Sequence, residues 1–160
     1  RLPAGVEVEV ADCDDKKPRW SDGTKMQVAG MSLAWKETAA GSLQDTCLGM
    51  IARGVCDRDK RWNIMFDTSG YAMLFDFEFA RIFNHVDAEC WYWDLWVFIY
   101  QISSHIGQML EGCTPEVFDR IRSRREANLA SCSFQQQLAK LGINFERVQD
   151  IATECLERCL

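Results

Sequence analysis

Apolar and polar positions alternate at Val6-Glu7-Val8-Glu9-Val10, a period of two that predicts a half-buried strand over 6–10. The charged, turn-rich stretch 14–23 reads as a loop. Met26, Val28, Met31, Leu33 and Trp35 alternate on either side of Gly30, which predicts a bulged strand. Ser42 with Asp45 three residues on has the form of a helix start, with Leu43, Cys47, Met50 and Ile51 on one face. Segments 62–66 and 71–79 flank Asp67-Thr68-Ser69-Gly70 as the arms of a hairpin. In the second arm, period two puts Met73, Phe75, Phe77 and Phe79 on one face.

The pattern changes after His85. Asp87 is placed to cap a helix running toward Gly112, with Val86 and Trp91 as a hydrophobic staple. Apolar residues occupy nearly every side of that segment, which predicts a helix buried at the centre. Its aromatic and β-branched stretch 91–100 also suits a strand, and length without Gly or Pro favours the helix. Thr114-Pro115-Glu116 is a strong helix start. Ser133 with Gln136 predicts a short helix ending at Leu141-Gly142, and Asn144 caps a last helix through Val148, Ile151, Cys155 and Cys159. The reading is an α+β domain over 1–160, with a small antiparallel sheet of about four strands from 1–83 packed against helices from 87–160.

Cysteine usage adds staples to this picture. The eight cysteines are Cys13, Cys47, Cys56, Cys90, Cys113, Cys132, Cys155 and Cys159, an even number spread along the chain. No C-x-x-C occurs and only two histidines are present, which argues against a zinc module or a thioredoxin-like motif. Four structural disulfides in an oxidising, extracellular compartment are expected, with buried free thiols as the alternative. Helical-hairpin geometry suggests Cys90–Cys132. A weak echo between 13–20 and 56–62 suggests instead Cys13–Cys47 and Cys56–Cys90. The chain begins at Arg1 without an initiator Met and is read as a mature, secreted protein whose signal peptide has been removed. Its longest apolar stretch is too short to span a bilayer.

The net charge of −6 disfavours duplex nucleic acid as a partner. Residues 61–114 hold seven acids and two bases, whereas 115–160 hold seven of each. Within the second segment Arg120, Arg122, Arg124 and Arg125 form either a solvated helix face or a patch for an anionic ligand. Trp20 and Trp62, each beside an arginine in a charged loop, are candidate exposed contact residues. Catalytic candidates are thin. Ser103, Ser104 and His105 cannot form a triad among themselves on one helix, and His105 reads as a core histidine. His85 reads as a surface or capping residue. The pairs Asp76/Glu78 and Glu7/Glu9 have a spacing compatible with glycoside hydrolysis, but solvated strand faces explain them as well. Phosphate loops, dinucleotide fingerprints and metalloprotease motifs are missing, so no metal, cofactor or catalytic residue is assigned.

Eight spaced cysteines, the absence of a glycosylation sequon, and a sheet followed by helices resemble the small secreted cysteine-rich effectors of fungal and other eukaryotic pathogens. Among them, Leptosphaeria-avirulence-type effectors also combine a four-stranded antiparallel sheet with helices. The resemblance implies a virulence or avirulence protein that binds a host or target protein, such as a receptor. A carrier of small apolar ligands, suggested by the aromatic residues of 71–100, and a secreted hydrolase using acidic residues are the alternatives.

Overall fold

A computed structural model describes residues 6–7, 28, 30–60 and 63–159. Cys13, Trp20, Trp62 and most of the strands expected before residue 30 lie outside the described residues. The elements in chain order are β1 (Val6–Glu7), α1 (Leu33–Ile51), β2 (Val55–Asp57), β3 (Ile64–Phe66), β4 (Ala72–Leu74), β5 (Ala80–Ile82), α2 (Ala88–Met109), α3 (Pro115–Ala130), α4 (Cys132–Leu141) and α5 (Phe145–Cys159). The protein is α+β. All strand pairs among the described residues are antiparallel, in two small sheets ordered β1-β3-β4 and β2-β5.

The first correction is α1. Leu33 and Trp35, expected in a bulged strand, stand in a helix capped by Ser32, whose Oγ accepts from the Trp35 N–H at 3.1 Å. Trp35, Ala39, Leu43, Cys47 and Ile51 recur at every fourth residue and are all buried, so the 3.6-residue period overrides the short alternation before it. Ser42, expected to start the helix, lies inside it and accepts from the Ala72 N–H at 2.9 Å, which ties α1 to β4.

The hairpin forms as expected, with Ile64 opposite Leu74 and Phe66 opposite Ala72. Asp67 Oδ1 accepts from the backbone N–H groups of Ser69 and Tyr71, both at 2.8 Å. Gly70 is required there: its φ is +89°, and a Cβ would lie 3.1 Å from the Trp35 carbonyl oxygen. The second arm is shorter than expected. It ends at Leu74, and Asp76 turns the chain with φ +54° so that Ala80–Ile82 pairs with β2 instead. Phe77 and Phe79 therefore leave the face that Met73 occupies and stand exposed.

Asp87 caps α2 through bonds from the Glu89 and Cys90 N–H groups. The helix packs along α1 and α5, burying Trp91, Leu95, Phe98, Ile102, Ile106 and Met109. It is not apolar-buried on all sides: Trp93 is 67% exposed. Gly112, at φ +78°, follows the turn after α2, and Pro115 opens α3. Ser131 rather than Ser133 caps α4, while Gly142 closes it in the left-handed conformation. Asn144 Oδ1 accepts from the Arg147 N–H at the start of α5, as expected. No helix among the described residues is long and apolar enough to cross a membrane.

The expected staples do not appear. No Sγ–Sγ bond joins any two of the seven described cysteines, neither Cys90–Cys132 nor Cys56–Cys90. Cys47, Cys56 and Cys155 are buried, Cys113 and Cys159 half-buried, and Cys90 and Cys132 exposed. Burial pushes the Cys47 and Cys155 thiols up to about 12 and raises that of Cys56 further. These side chains lie on inward helix faces and in β2, where a small apolar residue packs well.

Candidate functional site

The most unusual chemistry lies where β2 and the segment after β4 meet α2. Asp57 and Lys60 are both 0% exposed, and Lys60 Nζ is 2.9 Å from Asp57 Oδ2. The ammonium also donates to the carbonyls of Phe75, at 2.6 Å, and Asp76, and lies 4.3 Å from the centre of the Phe77 ring. A buried charge needs such compensation on several sides. Lys60 thereby clasps the 75–79 loop and holds Asp76 in its left-handed conformation. The 58–60 loop is fixed in turn by Gln101 of α2. Its Oε1 accepts from the Lys60 N–H and its Nε2 donates to the Arg58 carbonyl, each at 2.8 Å.

Beside this clasp opens a groove of about 750 Å3. It is lined by Arg58, by Arg81 of β5, by Val86, and by Cys90 and Trp93 of α2. The acids that border it are engaged. Asp87 caps the helix, Asp94 pairs with Arg81 at 3.4 Å, and Glu89 takes a two-pronged bond from Arg147 that holds its carboxyl below the usual 4.5. The exposed Arg58 guanidinium sits 5.5 Å from the centre of the Phe79 ring and makes no ion pair among the described residues. Trp93 begins a stack of near-parallel rings along α2: Trp96 at 5.8 Å and Tyr100 at 5.2 Å beyond it.

The arginine cluster is not brought together as one patch. Arg120 binds Glu37 of α1 through both carboxylate oxygens, at 2.6 and 2.7 Å, which lowers the Glu37 pKa. Arg124 binds Asp45 of α1 in the same way, and Arg122 lies 3.3 Å from Asp119 within α3. Arg125 faces inward and is only 4% exposed, which removes it from any surface patch. Its guanidinium donates to Gln44 Oε1 at 3.3 Å, to the Ala152 carbonyl at 3.2 Å and to Ser103 Oγ at 3.0 Å. Burial pushes its pKa down, and the neighbouring thiols Cys47, Cys155 and Cys159 push it back.

Of the remaining candidates, His105 is fully buried in α2 and His85 is exposed at the end of a short 3-10 turn. Asp76 and Glu78 are exposed on the 75–79 loop, not on a common strand face. Glu7 is in β1, and Glu9, like Trp20 and Trp62, lies outside the described residues. Among the described residues no group of histidine, cysteine and carboxylate side chains is arranged to hold a metal ion. Sequence reasoning missed Asp57, Lys60, Arg58 and Trp93. The first three sit in a run of charges that reads as solvated loop. Trp93 could have been found from Glu89 one turn earlier, which marks that stripe of α2 as its outer face. Compared with known proteins, the chain matches no family model, no curated protein and no solved structure.

Proposed function

We propose that this protein works by binding a partner protein through the groove between Arg58 and Trp93. The observation that supports the reading is an exposed tryptophan lining the same groove as an arginine that has no acidic partner among the described residues. Exposed Trp and Arg carry a disproportionate share of binding energy at protein interfaces. Phe77, Phe79 and Ile82 are exposed on the neighbouring loop and strand and extend the apolar surface available to a partner. The host- or target-directed, secreted setting implied by the cysteine count belongs to the same proposal. A photo-reactive phenylalanine analogue at position 93 tests it. A defined crosslinked product from position 93, none from exposed position 133, and loss of the product with Arg58→Glu supports the reading. Equal crosslinking from both positions sinks it.

A second reading, catalysis, is favoured by one observation: Asp76 is the only non-glycine described residue with positive φ, and it is held there by a buried ion pair. Such strained backbone and buried charge concentrate at reactive sites. Incubating a metabolite extract with wild-type and Asp57→Asn protein, then comparing the mass spectra, tests this reading. A compound consumed only by the wild type favours the enzyme, and identical spectra remove it.

A further inference from the structure

Resting on the binding reading, we infer that the groove takes an extended peptide segment carrying one carboxylate beside an aromatic or large apolar side chain. The charges and donors left open on the groove by the described residues select this ligand. Every acid on the groove's edge is satisfied within the protein: Asp87 by two backbone N–H groups, Asp94 by Arg81, and Glu89 by Arg147. The charge of Arg81 is offset by the same pairing, at 3.4 Å. The Arg58 guanidinium remains, exposed, with the Phe79 ring against it, no acidic partner among the described residues, and its backbone carbonyl held by Gln101. A planar guanidinium fixed on an aromatic face presents its N–H fork outward, the geometry that carboxylates match in two-pronged fashion.

On the same groove Trp93 is 67% exposed, with its ring stacked on that of Trp96. A rigid indole offers stacking area at small entropic loss. One cation without an acidic partner and one exposed aromatic ring, lining the same groove among the described residues, select a ligand with one anion next to one apolar group. A polyanion fits poorly, because the chain's net charge is −6 and residues 61–114 hold seven acids and two bases. A basic segment would meet Arg58 with like charge and find every bordering acid already engaged.

Cys90 supplies the readout, since it is exposed on the groove wall whereas exposed Cys132 lies on α4. The experiment measures alkylation rates at both thiols in the whole protein against short synthetic peptides. One peptide carries glutamate beside phenylalanine, a second has lysine for the glutamate, and a third has serine for the phenylalanine; a single-stranded oligonucleotide is the fourth probe. The glutamate–phenylalanine peptide is expected to slow Cys90 and leave Cys132 unchanged. Losing either side chain should weaken this protection about tenfold, the scale of one charge-assisted contact. Arg58→Glu, a change at an exposed side chain, should abolish protection by the glutamate peptide and confer it on the lysine peptide. If the lysine peptide or the oligonucleotide protects wild-type Cys90 as well or better, the ligand assignment is overturned while binding in the groove survives. If none of the four protects Cys90, the assignment fails, and the position-93 crosslink separately decides whether the groove binds a partner at all.

Discussion

Two of the buried cations, Arg125 and Lys60, contrast the halves of the molecule. In the helical half, Arg125 is held by neutral acceptors from three helices: Gln44 of α1, Ser103 of α2 and Ala152 of α5. In the strand-and-loop half, Lys60 is held by a carboxylate and by carbonyls of a loop that has no regular structure. Arg125 joins elements that already pack through Leu43, Phe98, Ile102 and Val148. Lys60 organises a segment whose aromatic residues Phe77 and Phe79 are about half exposed rather than buried in the core. The same kind of group thus acts as filler in one region and as frame in the other.

That contrast can be broken most severely at Lys60. Lys60→Ala leaves Asp57 buried without its counter-ion and should lower stability by about 3–5 kcal/mol in denaturant titration. The double change Asp57→Leu with Lys60→Met should recover much of the loss, since a well-packed apolar pair can replace a buried ion pair. If it restores stability yet abolishes crosslinking from position 93, the pair serves the site rather than the fold. Phe98→Ala, in the helical core, should cost about 3–5 kcal/mol through cavity formation and leave the 75–79 loop ordered in hydrogen exchange. Loop opening in that variant as well would erase the distinction between the two halves.

Arg125→Met should cost about 1–3 kcal/mol, the penalty for buried acceptors left unsatisfied. The thiols around it supply a sharper pH test. Cys47 and Cys155 have pKa values raised from 9.0 to about 12, so their contribution to stability is complete below 9.0 and disappears as pH rises toward 12. Stability should fall across that window and fall less steeply in Cys47→Ala. On native protein, iodoacetamide should label Cys90 and Cys132 first and reach Cys47, Cys56 and Cys155 only on unfolding. An intact mass about eight hydrogens below the reduced value, with no labelling, would instead establish the four disulfides expected from the sequence.

The smallest effects belong to the surface. Arg124→Ala should change stability by under about 1 kcal/mol, because exposed ion pairs contribute little. Glu37, whose carboxyl is held below 4.5 by Arg120, contributes stability that is present above 4.5 and lost as pH falls through its lowered value. Arg120→Ala should erase that small acid-side dependence.

Legibility followed range along the chain. Asp87, Gly112, Pro115, Gly142 and Asn144 punctuate helices through contacts within a few residues, and the sequence is sufficient to find them. The hairpin at 67–70 was equally local. The bulged strand failed because Met31, Leu33 and Trp35 alternate too briefly against a four-residue recurrence that runs to Ile51. The long second arm failed because its aromatic alternation continues past Asp76, where the backbone turns away for a reason located at Lys60. Site residues were harder still. The exposed arginines of 120–124 pair mainly across to α1, 79 and 83 positions away, and nothing in their own neighbourhood announces it.

Gln101 has a consequence for the energetics of recognition. It pins the Arg58 backbone to the middle of α2, and α2 also carries Trp93 and Cys90. The Arg58 backbone is therefore tied to the same helix that carries Trp93. Breathing of the β1-β3-β4 sheet or of the turn at 67–70 leaves that tie in place. In the proposed binding, an incoming segment meets a surface whose Arg58 side is already tied to the helix, so that less of the association free energy goes to ordering the receptor.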